Sequence, residues 1–161
     1  MSLIEDLAGV QAGTPMASAL AQRAEIMGLS QASHDAVLLP RDPGGLSHAE
    51  RAALAARMAH WNADPALSGH YRALLTQAGE TPALAAVAAG ESPTVDPRSA
   101  AIIHHADLLT QRTRDARKED ITALVAAGVT EPDIVRLAEL AAFVNYQARV
   151  IAGLRLLGAA A

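Results

Sequence analysis

The strongest structural signal in this sequence is a recurring pair in which a helix-capping residue is followed by proline. Thr14-Pro15, Asp64-Pro65 and Thr81-Pro82 all have this form. A Thr or Asp side chain accepts a hydrogen bond from an unpaired N–H group of the first helical turn. Proline suits the first helical position because no donor is needed there. Each pair therefore predicts the start of a helix, and the series favours a helical fold.

Two further helix starts come from capping motifs without a leading proline. Ser47 to Glu50 forms a capping box, and Thr130 to Asp133 is a second capping signature. The Pro- and Gly-rich stretches at residues 40–45 and 91–97 predict a linker and a crossover between two halves. The predicted helices cover residues 15–28, 30 or 33 to 39, 49–61, 65–78, 82–89, 98–118, 119–127 and 131–157.

The composition supports an all-α fold of about eight helices. Hydrophobic residues make up 51% of the 161 residues but aromatic residues only 2%, so most of the apolar surface comes from Ala and Leu. Such side chains suit close helix packing better than sheets, which favour β-branched and aromatic residues. We predict one compact domain of two helical halves, with residues 1–45 as an N-terminal helical extension and residues 46–161 as the core.

The absence of cysteine and the net charge exclude several classes of function. With no Cys in the chain, there is no disulfide, zinc-thiolate site or Cys nucleophile. A net charge of −4 offers no basic surface for nucleic acid. No apolar stretch has the length of a membrane span, and the first residues do not resemble a secretory signal. We therefore expect a soluble, cytoplasmic protein that binds neither nucleic acid nor membrane.

Two segments resemble a known family when they are taken together. The stretch LSHAERAALAARMAHWNADPALSGHYRALL (46–75) has an LSxxER helix start, an Asn-containing turn and a second helix start. Residues 97–154 add Leu109-Thr110, a segment from Asp120 to Thr130, and the series Phe143, Asn145, Tyr146, Arg149, Gly153-Leu154. In order and spacing these resemble the peroxidase-related branch of the alkylhydroperoxidase D-like and carboxymuconolactone decarboxylase superfamily. The resemblance implies the helical bundle of that family, here as a Cys-free member.

The resemblance also locates a thiol site that this chain lacks. Thiol-active members carry a Glu, a Cys-x-x-Cys pair and a His, and alignment on Asn62 places these positions at Ala52, Asp64, Leu67 and Tyr71. Thiol peroxidase chemistry needs an attacking thiolate, a resolving thiol and a base. Since all of these roles are vacant, we predict that thiol peroxidase activity is absent.

Polar groups near that position are candidates for other chemistry. Asp64 is interpreted first as a helix cap, and Glu50 as part of the Ser47 capping box. Asp64 and Tyr71 share a helical face and are candidates for one pocket. His70 is a candidate general acid or base, with a surface or interface histidine as the alternative.

Two other groups of residues are candidate ligand sites. Adjacent His104 and His105 point apart, so only a His104–Asp107 half-site is geometrically possible, and we predict no metal site and no cofactor. His105 is interpreted as a core or interface histidine with a satisfied N–H group. Asn145 and Arg149 lie one turn apart and are candidates for binding a carboxylate, with a structural ion pair as the alternative.

Three hypotheses about function follow. The first is a non-thiol, degenerate family member that acts as a structural or regulatory subunit or as a binding module. The alternative is a cofactor-free acid-base lyase or decarboxylase acting on a small lactone or keto acid. The third concerns assembly: a homo-oligomer (dimer, trimer or hexamer), or a complex with a Cys-bearing family relative.

Overall fold

The computed structural model describes residues 2 to 159, and all regular structure in that range is helical. The prediction of an all-α fold of about eight helices is thus confirmed. Besides a single 3₁₀ turn at Thr113–Asp115, the described range contains α1 (Leu3–Ala8), α2 (Pro15–Ala21), α3 (Ala24–Leu38), α4 (His48–Trp61), α5 (Pro65–Gly79), α6 (Pro82–Ala88), α7 (Pro97–Gln111), α8 (Lys118–Ala126) and α9 (Glu131–Ala159).

Helix α4 is the centre of the fold. Every residue from Arg51 to Ala59 is buried, so this helix is covered on all sides. Its neighbours are α3, α5, α6, α7 and α9. Five of these nine buried residues are Ala, whose small side chain lets the surrounding helices approach closely. A helix that is mostly apolar around its whole circumference is stable only in such an interior position.

Helix α9 connects the N-terminal and C-terminal parts of the chain. It packs against α1, α3, α4, α7 and α8. Its buried apolar residues include Leu137, Val144 and Ile151, each at 0% exposure.

The predicted helix caps are confirmed. The side chains of Thr14, Asp64 and Thr81 each accept a hydrogen bond from the third residue of the helix that follows, with Pro at the first position. Ser47 and Glu50 form the complete capping box of α4. Thr130 accepts from the backbone N–H of Asp133 at 3.4 Å at the start of α9.

Three predicted helix boundaries are wrong. The sequence predicts a helix that ends at Gly28 and another that starts at Ser30 or Ser33, but the break comes at Gln22 and Arg23, and α3 begins at Ala24 and runs through Gly28. An added Cβ at Gly28 would meet nothing within 4 Å, so this glycine fills no special backbone role. Helix α7 ends at Gln111 instead of Lys118, and the 3₁₀ turn follows.

Buried Arg51 holds the linker at residues 40–45 against the helices. Its guanidinium donates to the carbonyl oxygens of Leu46 (2.9 Å), Val37 (3.0 Å) and Pro43 (2.8 Å). These carbonyls lie at the end of α3 and in the linker, so one charged side chain satisfies several non-helical acceptors and fixes α3 beside α4.

Candidate functional site

Asp64 is fixed by both a helix start and a distant arginine. Its Oδ1 accepts from the Leu67 backbone N–H at 3.0 Å, and Arg155 Nη1 donates to its Oδ2 at 2.9 Å. Arg155 also donates to the Leu7 carbonyl oxygen through Nε and Nη2. The carboxylate is only 4% exposed. The interpretation of Asp64 as a cap is confirmed, whereas its pairing with Arg155 was not predicted.

The other positions aligned with the thiol site lie in the core. Leu67 and Tyr71 are 0% exposed and Ala52 is 2% exposed. The Tyr71 hydroxyl donates to Gln147 Oε1 of α9. Burial raises the pKa of Tyr71 well above its usual value, so the phenol stays neutral. Asp64 and Tyr71 thus share no open pocket, because the space around the Tyr71 ring is filled by protein.

The ring of His34, in α3, packs on Tyr71 at the position aligned with the thiol site. Its ring stacks on Tyr71 with centroids 6.2 Å apart and an interplanar angle of 13°, and it meets Phe143 edge-on at 6.2 Å. Its Nε2 lies 3.1 Å from His70 Nε2, and its Nδ1 lies 2.9 Å from Asp35 Oδ1. Residues 1–45 therefore supply a side chain of this cluster, and sequence reasoning missed it.

His70 is poorly suited to the acid-base role considered for it. If His34 Nδ1 donates to Asp35, then His34 Nε2 is an acceptor and His70 Nε2 must carry the proton between them. Burial is the main reason that the pKa of His70 is lowered to about 4, and any positive charge on His34 acts in the same direction. The ring is neutral near pH 7, and its Nε2 is committed to an internal hydrogen bond.

Glu50 serves a structural role in the capping box. Its Oε2 accepts from the Ser47 N–H and hydroxyl groups, both at 2.8 Å. Its Oε1 pairs with Arg98 Nη1 at 3.3 Å. The interpretation of Glu50 as a capping residue is confirmed.

The His104–Asp107 half-site does not form. Asp107 accepts from Arg57 Nε (2.7 Å) and Nη2 (2.8 Å) and from Trp61 Nε1 (2.9 Å), and His104 is exposed. His105 is buried as predicted, but its Nδ1 has no hydrogen-bond partner within residues 2–159, so the expectation of a satisfied N–H fails at that atom. Burial lowers the pKa of His105 and keeps the ring neutral. Within the same range, no group of three or more His, Cys, Asp or Glu side chains could hold a metal ion.

Asn145 and Arg149 do not act together on an external carboxylate. The Asn145 amide donates to the Ala141 carbonyl (2.8 Å) and to Thr110 Oγ1 (3.3 Å), and its oxygen accepts from Asn62 Nδ2 at 2.9 Å. Both N–H groups are therefore used inside the protein. Arg149 is exposed and donates to the Asn145 backbone carbonyl at 3.2 Å. Only the arginine of the pair faces solvent.

A pocket that the sequence did not indicate lies between α4, α6 and α7, and we call it the α4–α6–α7 pocket. Its volume is about 330 Å³. Apolar side chains from three helices form most of its lining, and the crossover at residues 94–96 borders it. Helix prediction alone could not reveal it, because its lining residues are brought together only by the packing of these helices.

Comparisons of the chain with protein-family models, with curated proteins and with solved structures found no match in any of the three. The family resemblance therefore rests on the residues and spacings described above. Within residues 2–159, no helix is both long enough and apolar enough to cross a membrane.

Proposed function

We propose that this chain is a redox-inactive member of the alkylhydroperoxidase D-like and carboxymuconolactone decarboxylase superfamily that works as a binding module. The observation that carries the proposal is the filled thiol position. Leu67 and Tyr71, which occupy the second Cys and the His positions implied by the resemblance, are both 0% exposed.

The physical reason is that peroxide chemistry needs access as well as sulfur. A thiolate reacts only if the peroxide oxygen can reach it and if a second thiol can resolve the sulfenic acid. Here Asp64 is bound by Leu67 N–H and Arg155, and His34 covers Tyr71. The positive field of a helix start, which lowers the pKa of a Cys, instead stabilises a carboxylate.

The alternative hypothesis of an acid-base lyase is less well supported, because its candidate residues are engaged in internal hydrogen bonds. His70 bonds to His34, and Asn145 uses both amide N–H groups internally. The pocket that borders Asp64 is lined by His60, Ser68 and Arg72 and does not include Leu67 or Tyr71. A second pocket lies between α4, α6 and α7. Filled Leu67 and Tyr71 positions together with open space elsewhere support binding over catalysis.

A peroxidase assay tests the redox half of the proposal. The purified chain is mixed with an alkyl hydroperoxide and a dithiol reductant, beside a Cys-bearing alkylhydroperoxidase D as positive control. We expect no peroxide consumption above that of buffer. Steady, metal-independent consumption would refute the proposal.

Restoring the thiol site tests the proposed family membership. The triple variant Asp64→Cys/Leu67→Cys/Tyr71→His restores the Cys pair and the His at the aligned positions. The matched control, Thr81→Cys/Leu84→Cys, places a Cys pair with the same spacing at the start of α6, which has the same cap-then-proline start. We expect dithiol-dependent peroxide reduction from the triple variant only, because the smaller Cys and His side chains also reopen the space that Leu67 and Tyr71 fill. Equal rates from the two folded variants would remove the support for the family assignment.

We further propose a cytoplasmic homo-oligomer, a dimer, trimer or hexamer, formed through the surface shared by α3 and α9. Ile26 (51% exposed), Leu29 (58%) and Tyr146 (41%) border one groove on this surface. Light scattering after size exclusion should give a mass above that of the monomer, and Leu29→Glu should lower it. A wild-type monomer would contradict self-assembly, and mixing with a Cys-bearing relative then tests a heteromeric complex.

A further inference from the structure

The α4–α6–α7 pocket has an apolar floor and an acidic rim. Its floor includes Leu54 (3% exposed), Val87 (2%) and Ile102 (3%), one from each helix. Its rim contains the carboxylates of Glu50 and Asp96. In the described part of the chain, no Lys, Arg or His side chain lines the pocket. Arg98 pairs with Glu50 at 3.3 Å, which leaves Asp96 as the rim carboxylate without a cationic partner in the described residues.

The volume limits the size of an occupant. A dry apolar cavity of about 150 Å³ accommodates one benzene molecule. The pocket is about 330 Å³, roughly twice that size. An apolar body of about ten to twelve heavy atoms therefore fits.

The rim offers hydrogen-bond acceptors and few donors. Asp96 Oδ1 accepts from the Ser99 N–H at 3.0 Å and Oδ2 from the Ser99 hydroxyl at 2.6 Å. A carboxylate has about four acceptor sites, so about two on Asp96 remain free. The hydrogen bonds from Ser99 hold the pKa of Asp96 below its usual value, which keeps it ionised at neutral pH. The Ser99 hydroxyl uses its only proton in the hydrogen bond to Asp96 and cannot donate to a ligand.

We propose that this pocket binds a small organic cation, an amine with an apolar body of about ten carbons, whose ammonium group meets Asp96. The apolar body lies on the floor, where it displaces water, and the charge stays at the solvated rim. This deepens the proposed binding function by naming the ligand class, and it rests on that function.

Matched probes test the proposal on the full-length chain. Phenylbutylamine, phenylbutanol and phenylbutyrate share one apolar body and differ in charge. In NMR titrations we expect the amine to bind about threefold to tenfold tighter than the alcohol, in keeping with an ion pair at a solvated rim. The butyrate should bind weakest. Methyl shifts should centre on Leu54, Leu84, Val87 and Ile102, which line the pocket.

A conservative variant separates charge from packing. Asp96→Asn keeps a side-chain oxygen that can cap α7, so the fold should be retained. Its affinity for the amine should fall about threefold to tenfold, with no change for the alcohol. Asp115→Asn, in the exposed 3₁₀ turn outside the pocket, should bind the amine as the wild type does.

Four results would each overturn the inference. They are no binding of any probe at millimolar concentration, equal affinity for amine and butyrate, an amine affinity unchanged in Asp96→Asn, and methyl shifts outside the pocket. Peroxide turnover would instead refute the proposed function, whatever the titrations show.

Discussion

Acidification should weaken the contact between α3 and α5 through His70. The pKa of His70 is lowered to about 4 in the folded chain, from a value of 6.5 for an unperturbed histidine. A buried neutral histidine must take up a proton as pH falls, and the unfolded chain takes it up first. The stabilising contribution of the neutral ring is therefore complete above about pH 6.5 and is lost as pH falls toward 4.

The magnitude follows from linkage. Between pH 7.5 and pH 5.0, a shift from 6.5 to about 4 corresponds to about 2 kcal/mol of unfolding free energy. Because the ring is partly exposed, solvent screening reduces this, and we expect about 1 kcal/mol. The titratable groups linked to the ring by hydrogen bonds are His34, which contacts His70 directly, and Asp35, which contacts His34.

Urea unfolding at the two pH values measures the effect in wild type and in His70→Gln. Glutamine keeps an N–H group that can reach His34 but does not titrate, so the variant should lose about 1 kcal/mol less stability than wild type between pH 7.5 and pH 5.0. Other titrating groups, including His105, contribute equally to both proteins. His104→Gln, at an exposed position, should behave as wild type. Equal losses in wild type and His70→Gln would refute the reasoning.

Substitutions at three further positions, Tyr71, Gly69 and Asp64, are each tested by the midpoint of urea unfolding. Tyr71→Phe should cost about 1–3 kcal/mol because it leaves the buried Gln147 oxygen without its hydroxyl donor; an unchanged midpoint would contradict this. Gly69→Ala should stabilise the chain by about 0.5–1 kcal/mol, since an added Cβ in the interior of α5 meets nothing within 4 Å; a loss of stability would argue against that geometry. Asp64→Asn keeps an N-cap but ends the ion pair with Arg155, so Asp64→Ala should cost about 1 kcal/mol more. Equal costs would mean that the cap contributes nothing.

The helix starts could be predicted because their determinants are local. The caps at Ser47, Asp64 and Thr81 involve partners three residues away, which a sequence places without knowledge of the fold. Gly28 misled for the complementary reason. Glycine costs a helix interior about 1 kcal/mol, but buried Met27, His34 and Leu38 hold α3 in place, and their packing outweighs that cost.

The candidate site could be predicted only in part, because its decisive partners are distant in sequence. Arg155 is 91 residues from Asp64, Gln147 is 76 from Tyr71, and His34 is 36 from His70. No periodicity or spacing connects such pairs. The i,i+4 spacing of Asn145 and Arg149 predicted a shared face but could not show that the amide is already fully bonded.

The proposed function has two forms, a binding module and a structural subunit. The filled position at Leu67 and Tyr71 and the open α4–α6–α7 pocket together distinguish them. A channel of about 100 Å³ beside Tyr71 would cost about 2 kcal/mol as an apolar cavity, so a chain without peroxide chemistry gains stability by filling it. Tyr71, Leu67 and His34 do so. A purely structural subunit would gain in the same way by filling the space between α4, α6 and α7. That pocket instead keeps an apolar floor and two carboxylates at its rim, and so favours a binding module over a structural subunit.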